Sequence, residues 1–116
     1  MKKRHITLVT GGARSGKSRH ALELAGRGKR KAFIATATAS DREMADRIAR
    51  HKVERGRAFV TIEAPLDLAG ALRSLPRGTE IAILDCLTVW LGNLMHRYGA
   101  LEESCPEIED FLKVLG

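Results

Sequence analysis

An eight-residue string near the start of the chain has the residue types and the spacing of a phosphate-binding loop. Residues 11–18 read G-G-A-R-S-G-K-S and match the pattern G-x-x-x-x-G-K-S/T. In such a loop the glycines let backbone N–H groups turn inward around a phosphate, while the lysine reaches the β- and γ-phosphate oxygens and the final hydroxyl can hold Mg²⁺. The alternative is a Gly-rich turn that matches by chance. The pattern predicts nucleotide contacts from Gly11, Gly12, Ala13, Arg14, Ser15, Gly16, Lys17 and Ser18.

Two further residues could take part in phosphoryl chemistry. Asp85 ends an apolar run and could complete the Mg²⁺ site with Ser18, although an apolar run that ends in an ordinary turn has the same pattern. His51 lies among basic residues, and an imidazole can attack phosphorus to form a covalent intermediate. A packed or surface histidine is the simpler interpretation of His51 when only its residue type is considered.

These residues must be positioned by short apolar segments that alternate with amphipathic ones. Strands are predicted at residues 6–10, 32–35, 59–62 and 81–84. Helices are predicted at residues 17–24, from the capping box of Ser40 and Glu43 to near Gly56, at 66–75, at 87–98 and from Pro106 onward. Strands that are apolar along their length and alternate with helices favour a parallel sheet with helices on both faces. The phosphate-binding string falls between the first strand and the first helix, as its mechanism requires.

Composition limits the class of protein. The chain has 116 residues with 44% apolar content, enough for one globular domain over residues 1–116. The net charge is +6, but one Trp, one Tyr and three Phe leave few side chains for stacking on bases, so we expect no nucleic-acid partner. No apolar stretch is long enough for a membrane span, and the two cysteines form no C-x-x-C pattern. These features predict a cytoplasmic protein without a disulfide framework or zinc site.

Four strings in this chain resemble those of a known enzyme family. They are T-G-G-A-R-S-G-K-S-R at residues 10–19, I-A-T-A at 34–37, R-I-A-R-H-K at 47–52 and D-C-L-T-V-W-L at 85–91. In this order they resemble the adenosylcobinamide kinase/adenosylcobinamide-phosphate guanylyltransferase family of cobalamin biosynthesis. The resemblance covers essentially the whole chain. It implies a three-layer αβα P-loop fold of the RecA-like type, with a mostly parallel sheet that is incomplete at its carboxyl-terminal end.

The resemblance also implies a reaction and a set of roles. Members of the family phosphorylate adenosylcobinamide with ATP or GTP, then transfer GMP from GTP to that phosphate and release pyrophosphate. The transfer passes through a guanylylated histidine, whose position is matched by His51, so His51 and Lys17 are the expected catalytic residues. Mg²⁺ is expected between Ser18 and Asp85. Further nucleotide contacts are implied at Thr36, Ala37, Thr38, Lys52, Val53, Glu54, Arg55, Glu63 and Asp85.

Length is the main departure from the family. Its members continue beyond the matched part with at least one further strand and helix, so we expect this chain to correspond to the amino-terminal two-thirds of such an enzyme. The resemblance implies a homo-oligomer, a trimer in the family. Two other functions stay open: a nucleotide-binding P-loop module that lacks full turnover, and a different small P-loop kinase, which would not need a histidine at position 51.

Overall fold

The fold consists of three strands and five helices in the part of the chain that the structure describes. The computed structural model describes residues 6–10, 16–26, 30–38, 42–55, 59–99 and 105–116. The elements in chain order are α1 (Lys17–Ala25), β1 (Lys31–Ala35), α2 (Arg42–Arg55), β2 (Phe59–Glu63), α3 (Leu68–Arg73), β3 (Ile81–Asp85), α4 (Leu87–Tyr98) and α5 (Pro106–Leu115). Among the described residues no helix is long and apolar enough to span a membrane.

The strands form one parallel sheet in the order β2-β1-β3. The central strand β1 pairs with both neighbours along its whole length, so Ala35 stands between Glu63 on one side and Asp85 on the other. Parallel neighbours need a crossover connection, and α2 followed by α3 provides those connections here. The predicted parallel α/β architecture is therefore confirmed.

Side chains of β1 project from both faces of the sheet, because successive residues of a strand point in opposite directions. Ile34 is fully buried on one face, in a core made with residues of α3, α4 and α5. Phe33 points to the other face, where its ring packs edge to face on that of Phe59, with the ring centres 6.3 Å apart. The main core comprises Ile34, Ala64, Leu68, Ala71, Trp90, Leu94, Cys105 and Phe111.

Helix α1 covers the face of the sheet that carries Phe33. It packs against β3, and its end is tied to the beginning of β1 because Lys31 Nζ donates to the carbonyl of Gly26 at 2.7 Å. The same ammonium lies 4.7 Å from the centre of the Phe59 ring. The end of α1 therefore lies near the amino end of β1.

Two details of the predicted elements are wrong. Residues 6–10 form no strand, and Ile6 and Leu8 are 65% and 73% exposed. An apolar pattern does not supply hydrogen-bond partners, and within the described residues the sheet has only three strands. Helix α3 spans Leu68–Arg73 rather than residues 66–75. It begins at Leu68 because the Asp67 carboxylate accepts the Gly70 N–H at 2.9 Å and caps the helix there.

The end of α4 is joined to the beginning of α5 by a hydrogen bond between side chains. The Tyr98 hydroxyl donates to the Glu107 carboxylate at 2.8 Å. This bond raises the pKa of Tyr98 above its ordinary value, because it stabilises the protonated hydroxyl, and desolvation adds to the effect. The rings of Trp90 and Phe111 also pack between the same two helices, with their centres 5.1 Å apart.

Truncating a buried leucine should lower the stability of the fold much more than truncating an exposed one. Leu94→Ala should lower the free energy of unfolding by about 2–5 kcal/mol, because the side chain is fully buried and a cavity would remain. Leu112→Ala is the control: this leucine is 60% exposed, so the expected change is within about 0.5 kcal/mol. Urea unfolding followed by fluorescence of Trp90, the single tryptophan, measures both. Equal losses in the two variants would contradict this core.

The Tyr98–Glu107 bond predicts a shifted titration. Tyr98 is the single tyrosine, so tyrosinate absorbance near 295 nm reports on it alone. Glu107→Gln should lower the pKa of Tyr98 toward the ordinary tyrosine value of 10.0, because the charged acceptor is removed. The raised pKa means that the bond stabilises the fold at neutral pH and that this stabilisation is lost as pH rises through the folded-state pKa. Glu109→Gln, on the same helix turn, serves as the control and should leave the titration unchanged; an equal shift in both variants would argue against the bond.

Candidate functional site

The carboxyl end of the sheet collects several of the residues singled out from the sequence. Glu63, Ala35 and Asp85 lie side by side in register, so the two carboxylate-bearing residues flank the central strand about 10 Å apart at Cα, two strand spacings. Glu63 is exposed and Asp85 is half-buried. The loop of residues 36–38 leaves the sheet between them. In open parallel sheets, ligands bind outside this end of the strands.

Thr36 fastens the ends of β1 and β3 to each other. Its side chain is fully buried, and its hydroxyl both accepts the Cys86 N–H at 2.8 Å and donates to the Cys86 carbonyl at 2.9 Å. The Thr36 N–H also donates to the carbonyl of Asp85 at 3.2 Å. The backbone next to Asp85 is therefore held from β1, and Thr36 has a positional role. Of the next two residues, Ala37 is half-buried and Thr38 is exposed.

Two side chains of α4 hold the loops that follow β1 and β2. The Asn93 amide donates to the carbonyls of Thr36 and Pro65, at 2.9 and 3.0 Å. The Trp90 indole donates to the carbonyl of Leu66 at 2.8 Å. Sequence reasoning missed Asn93. The available signal was a lone amide three residues after Trp90 and next to the buried Leu94 in an apolar helix.

The beginning of α1 has the properties of an anion site. Gly16 precedes the helix with φ +83°, a left-handed conformation that favours glycine, and no side chain caps the helix there. The first turn carries no acidic residue, so the positive end of the helix dipole is not offset by a side chain of its own. Lys17 is half-buried at this end. The predicted loop contacts Gly11, Gly12, Ala13, Arg14 and Ser15, and the side chain of Ser18, lie outside what the structure describes.

Helix α2 carries the predicted nucleophile. His51 lies in its third turn, and the side chain of His51 is outside the described part of the structure, as are those of Glu54 and Arg55. The exposed Lys52 and Val53 complete that predicted group. None of the described side chains of α2 is buried, and only Met44 and Ile48 are half-buried. The helix is thus anchored to the rest of the molecule by little apolar surface.

The two cysteines have ordinary structural surroundings. Cys105 is buried in the core, and Cys86 precedes α4, where its sulfur accepts the Val89 N–H at 3.4 Å. Both are free thiols. Among the described residues no group of His, Cys, Asp and Glu side chains forms a metal cluster.

Substitution of Thr36 tests how the carboxyl ends of β1 and β3 are held together. Thr36→Val should lower the free energy of unfolding by about 1–3 kcal/mol, because the N–H and carbonyl of the half-buried Cys86 lose their partner. It should also speed hydrogen exchange at the Cys86 amide. Thr36→Ser keeps the hydroxyl and is the matched control, with a smaller loss and a protected amide. Unchanged protection of Cys86 in Thr36→Val would overturn this assignment.

Comparison with known proteins identifies the family of this chain. The family model described as cobinamide kinase / cobinamide phosphate guanyltransferase matches residues 7–116. The bifunctional adenosylcobalamin biosynthesis protein CobP of Pseudomonas aeruginosa is 49% identical over 89 residues, which are 76% of this chain and 51% of that protein. The proteins named CobU from Escherichia coli and Salmonella typhimurium are 41% and 39% identical, over 81% and 91% of this chain and 52% and 58% of theirs.

The matches have two consequences. The chain spans about half the length of the curated relatives that it matches. The match itself runs through all the elements described above, from before α1 to the end of α5. The chain therefore belongs to the cobinamide kinase / cobinamide phosphate guanyltransferase family, a family of enzymes.

Proposed function

We propose that this chain carries the nucleotide chemistry of cobalamin biosynthesis: phosphorylation of adenosylcobinamide with ATP or GTP, then transfer of GMP from GTP to that phosphate. The observation that carries the proposal is the row Glu63, Ala35 and Asp85 at the carboxyl end of the sheet, in a chain whose residues 11–18 match a phosphate-binding loop. The proposal includes a cytoplasmic protein that forms homo-oligomers, trimers by resemblance.

The phosphates of the nucleotide would lie at the beginning of α1. Backbone N–H groups of residues 11–18 and the helix dipole would bind them, and the Lys17 ammonium would offset charge on the β- and γ-phosphates. The open amino end of α1 supports this, because it has no acidic residue in its first turn. Thr38, Lys52, Glu63 and the other predicted contacts would hold the remainder of the nucleotide.

A magnesium ion fits the donor set at this end of the sheet. Asp85 offers a carboxylate, and Ser18 a hydroxyl; both are hard oxygen ligands of the kind that Mg²⁺ prefers, and one or two such ligands are enough when phosphates supply the rest. Bound there, the ion would supply charge neutralisation on the phosphates. The chain's own contribution is to fix Asp85, which Thr36 does through the backbone of Cys86.

The kinase half forms one oxygen–phosphorus bond and breaks another. The hydroxyl oxygen of adenosylcobinamide would attack the γ-phosphorus, the bond from that phosphorus to the β,γ-bridging oxygen would break, and the nucleoside diphosphate would leave. The hydroxyl proton would pass to solvent. Lys17 would stabilise the charge that gathers on the transferred group and on the leaving oxygen.

The guanylyl half would use His51 as the nucleophile. A neutral ring nitrogen of His51 would attack the α-phosphorus of GTP, and the bond to the α,β-bridging oxygen would break, releasing pyrophosphate. An oxygen of cobinamide phosphate would then attack the same phosphorus, break the P–N bond and regenerate His51. The attack requires the neutral imidazole, because a fully protonated ring has no free lone pair on nitrogen.

The covalent intermediate gives the test of this function. After incubation with GTP and Mg²⁺, native mass spectrometry at neutral pH should detect a GMP-sized adduct that survives collisional activation. Neutral pH is needed because a phosphorus–nitrogen bond to histidine is labile in acid. His51→Ala should lack the adduct, and His20→Gln should form it normally, since His20 is an exposed residue of α1.

The outcomes distinguish the proposal from its alternative. Whole GTP retained without any adduct in the unmodified chain would favour a nucleotide-binding module without turnover, which the half-length match to the relatives makes the second candidate. An adduct that persists in His51→Ala would refute the role of His51.

A further inference from the structure

A groove lies beside the carboxyl end of the sheet, and the chemistry proposed above gives it no role. It has a volume of about 380 Å³ and opens widely to solvent. The loop after β1, the loop after β2 and the later part of α4 form its sides. Its lining residues are Thr38, Pro65, Leu66, Asn93, His96 and Arg97. Of these only Thr38 belongs to the predicted nucleotide contacts, so the groove adjoins that site without coinciding with it.

The walls of the groove are held in place by hydrogen bonds. Asn93 binds the carbonyls of Thr36 and Pro65, and the Trp90 indole binds the carbonyl of Leu66. These bonds fix the loops after β1 and β2 against α4 before any ligand arrives. A preformed surface of this kind loses little conformational freedom on binding.

The groups that the groove offers to a ligand are mainly donors and apolar surface. None of its six lining residues is acidic, whereas Arg97 is a permanent cation and the His96 imidazole can donate. The Arg97 guanidinium lies over the Tyr98 ring, 5.6 Å from its centre, and Tyr98 is itself anchored to Glu107. Pro65 and Leu66 add an apolar wall. This combination suits an anion attached to an organic group.

We propose that this groove binds the phosphate end of the acceptor, cobinamide phosphate, with Arg97 and His96 on the phosphate oxygens and the attached organic chain against Pro65 and Leu66. The proposal rests on the proposed function. Transfer of GMP requires the acceptor phosphate to lie beside the nucleotide, and Thr38 borders both sites. A guanidinium suits the phosphate because it can donate two parallel hydrogen bonds.

Binding measurements test the groove without any reaction. Isothermal titration compares cobinamide phosphate with unphosphorylated cobinamide, on the full chain and its variants. Arg97→Gln should weaken cobinamide phosphate binding about tenfold or more, because a charge-assisted contact is lost, and should leave cobinamide binding unchanged. His96→Gln should reduce the preference for the phosphorylated ligand in the same direction. Arg97→Lys should recover part of the loss, and Arg73→Gln, an exposed arginine at the end of α3, should behave as wild type.

The guanylyl reaction adds a second measurement. Arg97→Gln should acquire the GMP adduct from GTP as fast as the wild type, yet need about tenfold more cobinamide phosphate to discharge it. Equal discharge curves, or equal losses for cobinamide with and without its phosphate, would overturn the groove assignment. If the wild type forms no adduct, the proposed function fails, and the titration with cobinamide phosphate still decides whether the groove binds it.

Discussion

The geometry at the carboxyl end of the sheet depends on one buried hydroxyl, that of Thr36. Thr36 uses both the donor and the acceptor capacity of its side chain on the main chain of Cys86, at 2.9 and 2.8 Å. Since Thr36 is fully buried, leaving its hydroxyl without partners would cost more than at the surface. The pairing fixes the position of Asp85 relative to β1. The nucleotide site proposed here requires that fixed relation.

From this point the same constraint extends to α4. The carbonyl of Thr36 accepts from Asn93, which also binds the loop after β2, so one amide joins the ends of two neighbouring strands to one helix. The helix is in turn set by Trp90 and Leu94 in the core. Packing on one face of the sheet thus determines the geometry of the edge where ligands would bind, and it shapes the groove with Arg97 and His96.

The local elements were readable from the sequence because their signals are local. The apolar run before Asp85 and the spacing of the last helix predicted β3 and α5, and the alternation of strands and helices predicted the parallel sheet. Residues 6–10 have the same apolar signal but form no strand, since pairing depends on a partner that no local pattern encodes. Asn93 was missed for a related reason: its two acceptors lie 57 and 28 residues away.

The candidate site likewise contains residues that the sequence predicted and a role that it did not reveal. Asp85 and Glu63 were predicted separately, one by its place after a strand and one by resemblance, and the register of the sheet places them on either side of Ala35. The role of Thr36 could not be foreseen, because a threonine after a strand has the same sequence signature whether its hydroxyl faces a ligand or the backbone of another strand. Burial decides between the two, and burial is a property of the whole fold.

We propose that a metal-bound nucleotide occupies the carboxyl end of the sheet. The most direct measurement is a set of amide NMR spectra of the isotope-labelled chain with GTP and Mg²⁺, repeated with Mn²⁺ as a paramagnetic substitute. We expect the amide signals of residues 36–38, Glu63 and Asp85 to broaden more strongly with Mn²⁺ than those of Lys31, Phe59 and Ile81 at the other end of the strands, because the broadening falls steeply with distance from the metal. Broadening confined to the amino ends of the strands, or none near Asp85 when GTP is bound, would contradict it.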